Sequence, residues 1–302
     1  MYNISRKNVV FEKESKNSLC FNSAFLSDHK NVDKCKALLY EGNNNEGIVF
    51  IHGLGSRNFE YLKYYPKNLS KHGYTTIMPI LPYHFERMPK DKKIDFLSGT
   101  ADDIEKRFYQ SVVDILSCVD YLENIGIEKL HIMGFSFGGM IGTIAKALDN
   151  RLSKGIFVVS GGNFLYITWK SVATKVLRVR YEDEGSCNIE KCHKLHENFD
   201  EEAKKFNDLD DLIKLPSCFR YDPSLFAKKI DPDEVLMINA AFDPFIPRKS
   251  SKDLWYKMGQ PKRYVLPAGH LTSHLWFKKF ILKKSIKFLE NDIIYNYGNK
   301  AL

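Results

Sequence analysis

The chain has 302 residues, 44% hydrophobic and 27% charged, a balance that allows a sizeable buried core without staples. Its formal charge of +8 comes from scattered lysines interleaved with acids, with no basic stripe or recognition motif, so we expect no nucleic-acid partner. No run approaches the ~18 apolar residues of a membrane span. The opening "MYNISRKNVVFEKESKN" has no apolar stretch behind its charges, which argues against a secretory signal. Cys20, Cys35, Cys118, Cys187, Cys192 and Cys218 then read as reduced thiols in a cytoplasm.

In chain order, "NVVFEKES" and "CKALLYEG" within the first 46 residues resemble strands joined by polar turns, suited to an antiparallel edge. "GIVFIHG" (47–53) is a short β-branched strand, and "FEYLKYYPKNLSKHG" (59–73) a helix ending at Gly73. "YTTIMPILP" (74–82) is a second buried strand, with Pro79 expected near its end, where a lost donor costs little. Residues 101–126 begin with acids and carry apolar residues at 112, 113, 116, 119 and 122, the spacing of a helix. Strands are expected at 128–136 and 154–162, with a small-residue helix at 138–150 between them. Beyond them come a strand at 233–243, a helix at 247–259, a strand at 262–270 and a closing amphipathic helix at 275–291.

Continuously apolar strands alternating with helices predict an α/β fold, a mostly parallel central sheet with helices on both faces. Residues 163–232 break that rhythm with helical patterns rich in charge and aromatics, and seventy residues is too long for a crossover loop. We expect a core formed by 1–162 and 233–302, and a helical insertion at 163–232 over the carboxyl edge of the sheet, where ligand crevices form.

"HIMGFSFGGM" (131–140) ends a strand and opens a helix, which is the context of a nucleophile elbow around Ser136. A serine hydroxyl needs a base, and the base needs an orienting carboxylate. Asp243 follows "VLMINAAF" and His270 ends "RYVLPAG", each at a strand end and in the order expected for such a triad. Asp231 and Asp233 lie at the wrong end of their strand. Among the other histidines, His131 reads as buried scaffold, His52 as a brace for the following loop and His274 as a neighbouring substrate contact. The oxyanion donors expected are the backbone N–H groups of Phe137 and of Leu54 in "HGLGSR". In "PYHFERMPK" (82–90), His84 and Arg87 are candidate substrate contacts, Arg87 for a carboxylate or phosphate. The competing reading is that Arg87 pairs with an acidic residue and pins the loop. Phe135 and Phe137, with Tyr166 and Trp169, are candidates for an apolar acyl pocket. Cys187, Cys192, His193 and His196 lack the tight spacing and second ligand pair of a zinc site, so no metal is expected.

Together "FIHGLGS", "MGFSFGGM", "NAAFDPFIP" and "LPAGH", spanning residues 48–270, resemble the α/β-hydrolase superfamily. The resemblance implies esterase-like or related acyl-transfer chemistry without a cofactor, on a small-molecule ester or acyl substrate, with the insertion serving as a cap. The expected activity is a carboxylesterase-like serine hydrolase. A peptidase, an acyltransferase and a non-catalytic binding protein of the same fold remain open, and the oligomeric state is not legible.

Overall fold

The computed structural model describes residues 2–55, 60–90 and 94–291. Residue 59, the expected start of a helix, and residues 56–57 of the "HGLGSR" loop lie outside the described residues.

Among the described residues a nine-stranded sheet runs in the order β1-β2-β3-β5-β4-β6-β7-β8-β9. Its antiparallel edge comprises β1 (Glu12–Ser15), β2 (Ser18–Asn22) and β3 (Lys34–Tyr40), with the short α1 (Lys30–Asp33) between the last two. β2 departs from the sequence reading, which found only its two neighbours. "SLCFN" is too short and mixed to signal a strand alone; pairing with β3 from Ser18↔Leu38 to Asn22↔Lys34 stabilises it. β3 joins β5 antiparallel, ending at Ala37↔Pro79, so Pro79 does fall at the strand end.

The rest of the sheet is parallel: β4 (Glu46–Ile51), β5 (Thr75–Pro79), β6 (Lys129–Phe135), β7 (Leu152–Val158), β8 (Val235–Ala240) and β9 (Lys262–Leu266). Their faces are covered by α2 (Tyr64–Lys71), α3 (Ala101–Asn124), α4 (Phe137–Leu148), α10 (Arg248–Lys257) and α11 (His270–Glu290), which explains the unbroken apolar runs of β4 through β8. α3 starts at a capping box: Thr100 Oγ1 accepts the Asp103 N–H and Asp103 Oδ2 the Thr100 N–H. α11 begins five residues earlier than its amphipathic pattern suggests. Thr272 Oγ1 accepts the Gly269 N–H at 2.8 Å and so caps the turn that carries His270.

From β7 the chain passes through α5 (Phe164–Lys170), α6 (Lys175–Asp183), α7 (Ile189–Glu197), α8 (Phe199–Lys204) and α9 (Pro223–Phe226) before β8. The sheet turns its connectivity at β4: β5 lies on one side, β6 on the other. Carboxyl ends of neighbouring strands at such a switch point leave a crevice between diverging loops.

Candidate active site

Ser136 occupies that crevice, in the turn between β6 and α4, with φ 55° and ψ −121°. This is a sparsely populated conformation for a residue with a side chain, held because the surroundings over-determine it. The Ser136 N–H donates to Val158 O at 2.8 Å, and its carbonyl accepts from Gly139 and Met140. A Cβ at position 134 would lie 2.3 Å from the Gly138 carbonyl oxygen, and one at 138 would lie 2.4 Å from the carbonyl oxygens of Ile51 and His52. The two glycines therefore let strand, helix and the preceding β4 loop interlock.

Asp243 and His270 meet across two loops. Asp243 Oδ2 lies 2.6 Å from His270 Nδ1, with the carboxylate almost fully buried. Its other oxygen, Oδ1, accepts the N–H groups of Phe245 and Ile246 at 2.9 and 2.8 Å. "DPFI" is thus an Asx turn that aims one oxygen at the imidazole while its own backbone holds the other. With Nδ1 donating to Asp243, the neutral imidazole leaves Nε2 as an acceptor. Ser136 and His270 border the same cavity. No hydrogen bond joins them among the described residues, and such contacts commonly tighten only once substrate is seated.

The loop after β4 lies close by: a Cβ at Gly53 would approach Ser136 Oγ to 3.8 Å. Two buried histidines hold this loop. His52 Nδ1 sits 2.8 Å from Gly53 O, and its Nε2 accepts the Leu81 N–H at 3.0 Å. His84 Nδ1 sits 2.8 Å from Pro82 O, and its Nε2 accepts the Gly55 N–H at 3.4 Å. Burial pushes His52 down to about 3 and His84 to about 4, so both are neutral and keep these acceptor roles near neutrality. Leu54 N–H lies between these anchors, and Phe137 N–H is at the open amino end of α4; neither donates to protein among the described residues.

His84 lines the cavity with its ring, parallel to Phe137, while both nitrogens are engaged by backbone. Arg87 is a correction. Its guanidinium is fully buried and does not border the cavity: Nε donates to Val32 O at 2.7 Å, Nη1 to Ile80 O at 2.6 Å and Nη2 to Asp114 Oδ2 at 2.7 Å. The loop leaves the sheet at the site's edge, but a charged group of α3 faces the sheet, and pairing it outweighs reaching for a ligand. Asp114 was the missed residue; a lone carboxylate inside "SVVDILSC" marks a buried charge in need of a partner.

His274 also borders the cavity, stacked on Phe135 at 4.6 Å with its Nδ1 3.3 Å from the Tyr65 hydroxyl. Burial holds it down to about 4. Asp222 was also missed. It is fully buried and accepts the N–H groups of Asn163, Phe164 and Ser224 at 2.7–2.8 Å, tying α5 to α9.

The cavity holds about 1250 Å³, more than a typical small-ligand site. Its core-side wall includes Phe135, Phe137, Phe96 and Phe108, and its other wall comes from α5 to α7 with Ile167, Trp169, Leu177 and Tyr181. Tyr166, expected beside Trp169, does not line it. Cys187, Cys192 and His196 also line it, with His196 Nδ1 2.9 Å from Cys192 O. Among the described residues no group of three His, Cys, Asp or Glu side chains is arranged to hold a metal ion.

Residues 47–183 match the family model of the alpha/beta hydrolase fold. An uncharacterized protein of Bacillus subtilis (strain 168), YdjC, is 34% identical over 73 residues, 24% of this chain and 62% of that protein's length. Among solved structures, the Pyrococcus horikoshii acylaminoacyl peptidase superposes with a TM-score of 0.63 at 16% identity, over 97% of this chain and 44% of that one. A cold-adapted esterase from an Arctic intertidal metagenomic library gives 0.54 at 15%, over 94% and 97%. DcsB, solved in complex with its substrate analogue, gives 0.57 at 13%, over 95% and 99%. The match and the superpositions show that the protein has the α/β-hydrolase fold. No described helix is long and apolar enough to cross a membrane.

Proposed function

We propose that the protein is a serine hydrolase that cleaves carboxylic esters with a large apolar acyl group. The observation that carries this reading is the strained Ser136 elbow bordering one cavity with a His270 whose Nδ1 is held by Asp243 at 2.6 Å. Ser136 Oγ attacks the ester carbonyl while His270 Nε2 takes its proton. Asp243 stabilises the imidazolium through Nδ1–H. Negative charge on the carbonyl oxygen is received by the N–H groups of Phe137 and Leu54. The tetrahedral adduct collapses as His270 returns the proton to the leaving alkoxide. Water, deprotonated by the same imidazole, then releases the acid and restores Ser136.

The apolar lining favours an acyl chain or ring system over a charged one, since an ion there would be desolvated without a partner. Residues 163–232 act as a cap over it. The test is fluorophosphonate labelling with intact-mass readout, beside turnover of p-nitrophenyl esters of rising chain length. Wild type should take one adduct and hydrolyse the longer esters, and Ser136→Ala should do neither. An adduct without turnover would replace ester hydrolysis by acyl transfer or peptide cleavage. An unlabelled wild type would refute an activated serine.

A further inference from the structure

The rim of the cavity is apolar on both sides. Leu271, Tyr61 and Val176 line the cavity and also stand exposed at its edge. Outward from Leu271, the first turns of α11 carry Leu275 at 65% and Trp276 at 72% exposure, and the loop before Asp243 carries Phe242 at 73%. On the opposite side Val172 is 61% exposed and Val179 continues the face of α6 beyond Val176. These are one surface. The Val172 N–H donates to Pro244 O at 3.0 Å, and the Phe242 N–H to Ala268 O at 3.0 Å, two residues before His270. Scattered exposed hydrophobics are ordinary, but a contiguous group this size marks a contact surface.

Among the described residues the charges beside it are mostly basic. Lys278 and Lys279 lie three to four residues beyond Leu275 on the same side of α11. Of the five lysines in α11, none has an acidic neighbour within the helix until Glu290. Arg248 and Lys249 follow the loop that carries Phe242, and exposed Lys170 and Lys175 flank Val172. Glu60, beside Tyr61, is paired with Lys63, and the acids of α6 and the turn after it, Glu182, Asp183 and Glu184, lie at the end away from Val172. Apolar side chains backed by basic ones match the boundary of an anionic lipid layer, where the former enter the acyl region and the latter meet the headgroups.

We propose that this rim docks the protein onto an anionic lipid surface, with the cavity mouth held against the layer. An apolar substrate then passes from lipid to cavity without crossing water. The docking itself needs no chemistry at Ser136, so it stands or falls apart from the hydrolase reading.

The experiment uses the full chain with vesicles of phosphatidylcholine alone or mixed with phosphatidylglycerol, read by co-sedimentation and tryptophan emission. Trp276 is exposed whereas Trp169 is buried and Trp255 partly so, so insertion should shift emission to the blue. Wild type and Ser136→Ala should bind the mixed vesicles alike, and weakly if at all the neutral ones. Raising salt from about 0.1 M to about 1 M should weaken binding. Leu275→Asp with Trp276→Asp should weaken it by at least about tenfold, and Lys278→Glu with Lys279→Glu by about fivefold per lysine removed. Both variants should turn over a short soluble ester at the wild-type rate. Two outcomes would overturn the proposal: no binding to mixed vesicles, or binding unaffected by the Leu275 and Trp276 changes. So would a wild-type dimer in light scattering that the same changes dissociate, since a second copy would then cover the surface.

Discussion

The two walls of the cavity are built on different principles. The core wall presents Ser136, Asp243 and His270 from the ends of β6, β8 and β9, with their backbones fixed by sheet pairing and interlocked glycines. The facing wall is made of helices only seven to nine residues long, too short to be stable alone. It relies on aromatic packing such as Phe199 on Phe219 at 4.7 Å, and on Asp222, which gathers three backbone amides at the seam with the core. In the proposed reaction the reacting groups, which need sub-ångström placement, sit on the stiff side, and the side proposed only to accommodate a substrate has more freedom to repack.

The largest test strikes the stiff wall. Asp243→Asn should retain the fold and lower kcat by about 10³–10⁴-fold, because an amide cannot hold His270 in the required tautomer. Steady-state kinetics beside a circular dichroism melt checks this; near-normal turnover would remove Asp243 from the mechanism. Next comes the pair beneath the wall. Arg87→Ala leaves the Asp114 carboxylate buried without its partner and should cost about 3–5 kcal/mol in urea unfolding. Arg87→Met with Asp114→Leu should cost less than the single change. A selective rise in KM for anionic esters in either variant would return Arg87 to the substrate.

The facing wall should respond differently. Asp222→Ala should cost roughly 1–3 kcal/mol by stranding buried amides. It should also move the preferred ester chain length while leaving Ser136 reactive to a fluorophosphonate; an unchanged chain-length profile would mean that this wall does not select substrate. The last effect is in pH. Burial holds His52 near 3 and His84 and His274 near 4, against an ordinary value close to 6.5. As pH falls below about 6.5 the unfolded chain takes up protons that the folded chain refuses. Stability is therefore complete above that pH and is lost as the pH drops toward 4, by about 1 kcal/mol per buried histidine at pH ~5.8. Melting temperatures from pH 7 to 5 should fall, and His84→Asn should flatten the slope. A flat wild-type profile would mean these rings are not held neutral.

The parallel sheet, the tight turn at Ser136 and the candidates Asp243 and His270 were legible without tertiary information, because each is written in local terms. Apolar runs reveal strands buried on both faces, two glycines mark a turn with no room for side chains, and "DPFI" builds its own Asx turn. Arg87 could not be assigned that way. Its loop points to the site, yet the carboxylate that captures it lies 27 residues away on α3. The early start of α11 and the strand β2 also depended on neighbours, one on Thr272 capping Gly269 and the other on pairing with β3. The helical segment shows the same division at larger scale. That it is helical was legible, but its division into helices, the tie at Asp222 and the share of the cavity they enclose were decided by tertiary packing. A short charged or aromatic segment carries no local record of which distant amide or ring will stabilise it.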